Sequence, residues 1–273
     1  MVLILPLKAG YLIAVLICRL QFRFSSKDRN AVIYNLKRVV ASVPEREIRI
    51  LALKVFENFG KYLVDFFRFS KLNDEFIKEK VNIINREYLD SAIKNYPGVI
   101  FLSGHIGNWE LGACLVSKLG CPVNVVALSH VHKKVNNLFN RQRAYCGTKV
   151  IPIGFALRQC YRLLKEKGLV AFLGDRDFGN SGKVFKFCSS KAQIPLGPAE
   201  FALKTGAVIL PAFSIREKDD KFSLFIEKPI PAFNTDGSKK DRDRIITEYL
   251  QVIETYIKKY PSQWYMFQPF FLE

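Results

Sequence analysis

The chain of 273 residues has no G-x-S-x-G elbow, no CxxC pair and only three histidines. The missing elbow argues against a serine hydrolase of the α/β type. Six cysteines (Cys18, Cys114, Cys121, Cys146, Cys160 and Cys188) fall at irregular intervals. That spacing suggests neither a zinc site nor a redox motif, and all six read as small buried hydrophobes in a reducing compartment. His130 and His132 alternate as on one strand face, but no third ligand at metal spacing accompanies them, so no metal site is expected. No internal repeat or low-complexity tract divides the chain. Acidic residues are few: 25 Asp and Glu face 42 Lys and Arg, for a formal charge of +17. A basic excess of this size calls for an anionic partner, whether phospholipid, nucleic acid, or an acidic protein or cofactor. No RNP-type aromatic block, zinc finger or basic helix accompanies the charge, so nucleic acid is not the expected partner.

Long uninterrupted hydrophobic runs are also lacking. The opening stretch "MVLILPLKAGYLIAVLICRL" is mostly apolar, but Lys8 lies within it and Pro6 and Gly10 weaken a continuous helix. It reads as a membrane-embedded or interfacial anchor over residues 1–24, with one tilted span as the rival, followed by a single domain over residues 25–273. No charged segment precedes it and no A-x-A-like site closes it, so a cleaved signal peptide is not expected. Arg19, Arg23, Lys27 and Arg29 would keep the following domain on the cytoplasmic side.

From Ser26 to about Phe69 apolar residues recur at helical spacing, interrupted by Pro44. After "NYPG" the texture changes to strand-then-helix units: "VIFLSG" before "NWELGACLVSKLG", "VNVVAL" before "KKVNNLFNRQRAYCG", and "KVIPIG" before "ALRQCYRLLKEKG". "LVAFLGD" and "AVILPAF" follow, then "KFSLFIEKPI" and a closing helix beginning at "DRDRIITEYL". This alternation predicts an α/β fold, a mixed sheet flanked by helices, behind a helical N-terminal layer.

The stretch "SGHIGNWELG", residues 103–112, follows the first of these strands. In open α/β sheets ligands sit beyond the carboxyl ends of strands, which places His105 where chemistry is expected. Gly104 and Gly107 allow a tight turn, and Asn108 suits the N-cap of the helix that starts "WELGACL". Were residues 105–110 all helical, five steps would turn the two side chains about 140° apart. A turn between them lets Glu110 fold back onto His105, and an ionised carboxylate there would fix the tautomer and leave the other ring nitrogen as a general base.

The run "GHIGNWE" resembles the catalytic block of the bacterial lipid A biosynthesis acyltransferases, a branch of the lysophospholipid acyltransferase superfamily whose broader relatives include mycobacterial phosphatidylinositol mannoside acyltransferases. The likeness continues through "NNLFNRQRAYCG", "LLKEKGLVAFLGDRDFGNSGKVFKF" and "PLGPAEFALKTGAVILPAF", covering nearly the whole chain in order. It implies an acyltransferase-type fold with His105 and Glu110 as the catalytic dyad. It further implies substrate contacts from Asn108, Asn136, Arg143, Asp175, Arg176, Asp177 and Gly197. Of these, Arg176 is the candidate for a phosphate or headgroup, Asp175 and Asp177 for shaping the site, and Gly197 for the loop near the thioester.

By the same resemblance the enzyme works in lipid A and lipopolysaccharide biosynthesis on the cytoplasmic face of the bacterial inner membrane. An acyl carrier protein or coenzyme A thioester is the donor, a membrane glycolipid the acceptor, and no cofactor or metal is required. Lys133, Lys134, Arg141 and Arg158 are further candidates for a headgroup or carrier-protein patch. Two departures leave the acceptor open. "KFCSS" stands where many relatives carry a second glycine, and "PSQWYMFQPFF" lacks the arginine that often follows the tryptophan. A phosphatidylinositol mannoside, another glycolipid or a lysophospholipid is the alternative acceptor, and a non-catalytic basic membrane-binding protein is the alternative of a different class.

Overall fold

The computed structural model describes residues 3–40, 42–128, 132–179 and 181–272. An N-terminal layer of α1 (Leu7–Phe24), α2 (Ser26–Val39) and α3 (Glu45–Phe66) leads through α4 (Asp74–Lys80) to β1 (Val81–Ile84) and α5 (Arg86–Asn95). Strand and helix then alternate: β2 (Val99–Ser103), α6 (Trp109–Lys118), β3 (Val123–Ala127), α7 (Lys133–Tyr145), β4 (Lys149–Pro152), α8 (Ala156–Lys165) and β5 (Leu169–Leu173). A hairpin of β6 (Lys183–Phe187) and β7 (Ser190–Ile194) precedes α9 (Gly197–Thr205), β8 (Val208–Arg216) and β9 (Phe222–Ile226). The chain closes with α10 (Arg242–Lys259) and β10 (Phe271–Leu272).

Seven strands form one sheet in the order β1-β9-β8-β2-β5-β3-β4. All neighbours run parallel except β8 and β9, so the sheet is mixed, as the alternating pattern predicts. The other three strands pair in the order β10-β7-β6. Every residue of β2 is buried, because helices cover both faces. Val99 and Phe101 pack towards α5 and α6, whereas Ile100 and Leu102 pack towards α8, α9 and α10. The period of two along a strand thus feeds two separate cores.

α1 lies along α3. Gly60 lets the two backbones approach, since a Cβ there would stand 2.8 Å from Cys18 Sγ and 3.1 Å from the Ala14 carbonyl oxygen. Buried Tyr11 donates its hydroxyl to Asp65 of α3, and Asp65 also pairs with Arg216 at the end of β8. Arg216 donates to the Tyr11 hydroxyl at 3.2 Å and to Asp220 at 3.1 Å, and Lys61 reaches Asp220 at 2.8 Å. This polar cluster fixes the N-terminal layer to the sheet. The opposite side of α1 is apolar and exposed, with Leu12, Leu16, Ile17, Leu20 and Phe24 facing outwards. No helix among the described residues is long and apolar enough to cross a membrane, so the tilted span read as a rival for the first residues has no counterpart in them.

Two of the six cysteines depart from the reading of all six as thiols: Cys114 of α6 and Cys146, just after α7, form a disulfide. Their separation of 32 residues carries no local signal; the contact exists because α6 and the end of α7 meet beside β3. Cys18, Cys160 and Cys188 are buried free thiols, and Cys121 is half-buried.

Replacing Asp65 with Ala leaves the buried Arg216 guanidinium with the more exposed Asp220 as its remaining carboxylate. Leaving a buried charge wholly unpaired costs about 3–5 kcal/mol, which is the ceiling here because Asp220 remains. Urea denaturation of D65A is expected to show a midpoint lowered accordingly.

Candidate active site

β2 and β5 are neighbouring parallel strands in register, Ser103 opposite Leu173. Each is followed by one glycine and one polar residue, so His105 and Asp175 leave the sheet side by side. The His105 ring nitrogen Nδ1 lies 2.7 Å from Asp175 Oδ1, and the His105 backbone N–H donates to Asp175 Oδ2 at 2.8 Å. The Trp264 indole donates to the same Oδ2 at 3.2 Å. Asp175 is fully buried. Burial pushes its carboxyl up, but the charge and hydrogen bonds of His105 and the Trp264 indole outweigh burial and hold it below the ordinary carboxylate range. An ionised Asp175 can only accept, so Nδ1 carries the proton and Nε2 is left as the base.

The carboxylate on the imidazole is therefore Asp175, which corrects the expected contact between His105 and Glu110. Glu110 sits in the first turn of α6 but turns to Arg143 of α7. Arg143 Nε donates to Glu110 Oε2 at 2.9 Å, and an Arg143 terminal nitrogen to Oε1 at 2.5 Å, a buried two-pronged pair. Burial lowers the Arg143 pKa, yet Glu110 overrides it and the net direction is upward. The pair stands one helical turn from the Cys114–Cys146 bridge, which ties the same two helices together.

The loop between His105 and α6 is short and heavily hydrogen-bonded. Gly107 has a φ of +64°, and a Cβ there would stand 2.2 Å from the Ser214 carbonyl oxygen, so only glycine fits. Asn108 caps α6 by accepting from the Leu111 N–H at 3.0 Å. Its amide reaches Asp65 at 3.4 Å, and its backbone N–H donates to the Ser214 carbonyl at 2.7 Å. Both ends of the Asn108 side chain are thus engaged in structure, and it does not line the cavity beside His105. Gln263 and Tyr265 close the loop from the other side: the Gln263 carbonyl accepts from Gly107 at 2.9 Å and the Tyr265 N–H donates to the His105 carbonyl at 2.8 Å.

A cavity of about 500 Å³ opens at His105 and runs under α6 against the sheet. Its wall is largely apolar, including Phe101, Ala113, Val125, Phe139, Ala171 and Ala212. Glu110, Arg143, Arg176, Asp177 and Gly197 also line it. Arg176 donates to Gln268 Oε1 at 2.5 Å and stacks 4.4 Å above the Phe178 ring, presenting a cation at the rim. Asp177 accepts from the N–H groups of Gly179 and Gly182 at 3.0 and 2.7 Å and from Gln193 at 3.2 Å, which shapes the turn into β6. Gly197 opens α9 at the cavity edge, where an added Cβ would meet nothing. Asn136, half-buried on α7, is not on the cavity wall, and Asp175 acts from behind His105. Lys133 and Lys134 are exposed at the start of α7, and His130 lies outside the described residues. Trp264 and Gln263 reach this site from the C-terminal segment, with no local spacing to betray them, whereas Tyr62 on the cavity wall belongs to an aromatic stripe at helical spacing on α3.

The family model for bacterial lipid A biosynthesis acyltransferases matches residues 1–273. The chain is similar to the phosphatidylinositol mannoside acyltransferase of Mycolicibacterium smegmatis, 26% identical over 240 residues that cover 86% of this chain and 77% of that protein. It is also similar to the phosphatidylinositol mannoside acyltransferase of Mycobacterium tuberculosis, 26% identical over 246 residues that cover 86% and 74% respectively. Among solved structures, the 1-acyl-sn-glycerophosphate acyltransferase of Thermotoga maritima aligns over 95% of this chain and 99% of its own, with a TM-score of 0.41 and 15% identity.

Exchanging Asp175 for Asn removes the charge behind the ring and offers Nδ1 a donor in place of an acceptor. Acyl transfer by D175N is expected to fall by about 10²–10⁴. Its thermal melt and steady-state rate, compared with wild type, separate a lost base from a lost fold.

Proposed function

Because the chain belongs to the bacterial lipid A biosynthesis acyltransferase family, we propose that it moves a fatty acyl chain from a thioester to a hydroxyl of a membrane glycolipid. The observation that carries this reading is His105, backed by Asp175, at the mouth of a largely apolar cavity of about 500 Å³. Such a volume lies within the usual range for small-molecule pockets.

In the proposed step His105 Nε2 takes the proton of the acceptor hydroxyl while the hydroxyl oxygen attacks the thioester carbonyl carbon. The new C–O bond forms, the C–S bond breaks, and the thiolate leaves with the proton returned by the imidazolium. Asp175 stabilises that imidazolium without itself becoming protonated. The Glu110–Arg143 pair holds α6 and α7 around the cavity, and Arg176 at the rim suits a phosphate. A basic chain matches either donor, since acyl carrier protein is acidic and coenzyme A is phosphorylated.

The proposed acceptor is a lipid A precursor, which the family description supports. The names of the mycobacterial relatives favour an inositol mannoside instead. Mass spectrometry of membrane lipids with and without the protein distinguishes them by which glycolipid gains one acyl group. H105A is expected to lose transfer by at least about 10² while keeping its circular dichroism. Undiminished transfer by that variant would remove His105 from the mechanism.

The proposed location is the cytoplasmic face of the bacterial inner membrane, with α1 lying in the interface. Its outward Leu12, Leu16, Ile17, Leu20 and Phe24 provide the apolar face, and Lys8, Arg19, Arg23 and Lys27 the nearby positive charge. Burying one leucine is worth about 1.5–3 kcal/mol. The double variant L16D/L20D is therefore expected to bind anionic phosphatidylglycerol vesicles at least about tenfold more weakly in a sedimentation assay.

A further inference from the structure

Ser103 and Ser214 stand out from the cavity wall. Ser103 ends β2 on the face that also carries Val99 and Phe101, and Ser214 lies on the face of β8 that carries Leu210 and Ala212. Both faces look towards α6, and both serines line the cavity. Their exposures are 5% and 1%, and neither hydroxyl has a hydrogen-bond partner among the described residues. A buried hydroxyl left unpaired is costly, and most such groups in folded proteins are satisfied. Glu110 and Arg143 on the same wall bond each other, and Phe101, Ala113, Val125, Ala171 and Ala212 offer the serines nothing polar.

Their position along the cavity is fixed by the catalytic loop. Ser103 is two residues ahead of His105. The Ser214 carbonyl accepts from Asn108, and Gly107 packs directly on it. Both serines thus line the same cavity as His105 and sit on segments that lead into, or pack against, its loop, which puts them nearest the carboxyl end of a chain whose thioester reaches His105.

We propose that Ser103 and Ser214 form a polar subsite that takes an oxygen substituent carried by the acyl chain close to its carboxyl end. The ligand class is a hydroxylated fatty acyl chain. This rests on the acyl-transfer reading and deepens it. A serine hydroxyl both donates and accepts, so it complements an alcohol on the chain, whereas a methylene at the same place leaves it unpaired. A site built to bond a substrate hydroxyl discriminates against the analogue that lacks it more sharply than an apolar pocket distinguishes one methylene.

The test uses the full chain and displacement of a fluorescent fatty acid by tetradecanoic acid and by its 2-hydroxy and 3-hydroxy forms. Wild type is expected to bind one hydroxylated acid about tenfold or more tightly than the plain acid. In S103A and S214A that ratio is expected to fall towards one. Equal binding of all three acids by wild type, as when the serines hold only ordered water, overturns the subsite. A preference that survives both substitutions overturns it as well. The wild-type comparison needs no variant, so a misfolded S103A or S214A leaves the test intact.

Turnover of the matching thioesters separates the two readings. Transfer without preference rejects the subsite alone, and preference without transfer rejects acyl transfer alone. Alanine variants that slow plain and hydroxylated thioesters equally would place the hydroxyls on the thioester carbonyl and reject the hydroxylated chain.

Discussion

One buried carboxylate, Asp175, sets the geometry on which the rest of the site depends. It grips His105 twice, through the ring and through the backbone, and accepts a third bond from the Trp264 indole. A carboxylate taken fully out of water survives as an anion only when its lone pairs are met in this way. The two bonds to His105 leave the imidazole with little freedom to rotate, and the indole holds the carboxylate that makes them. Rigid placement of a base before substrate arrives is where much of an enzyme's rate advantage originates.

A second buried pair does a different task. Glu110 and Arg143 bridge two helices rather than touch the imidazole, and Asp65 with Arg216 bridges the N-terminal helices to the sheet. Asn108 connects these systems, capping α6 ahead of Glu110 while reaching Asp65. The H-x4-E spacing is thus explained by a turn followed by a capped helix, with the acid held on the cavity wall beside the base.

Much of this architecture was legible in the chain. Alternating apolar strands and helical periods foretold the mixed sheet, and Asn108 was readable as a helix cap because its residue type and position suffice. The partner of His105 was harder, since 70 residues separate it from Asp175. A signal did exist: "FLSGH" and "AFLGD" are both apolar strands ending in glycine and a polar residue, and parallel in-register pairing brings those endings together. Favouring the nearer carboxylate, Glu110, missed it. The disulfide had no such pattern, because its approach is set by how two helices pack. Trp264 and Gln263 likewise belong to a C-terminal segment whose return to the loop no local period encodes.

The Cys114–Cys146 bridge has a consequence for how the chamber accommodates its guest. It joins α6 to the end of α7, so the side of the chamber they form is a braced bulkhead. Any widening needed for a thicker occupant falls to the rest of the lining, such as Phe178 and the turn from Pro195 to Pro198, which carries no disulfide among the described residues.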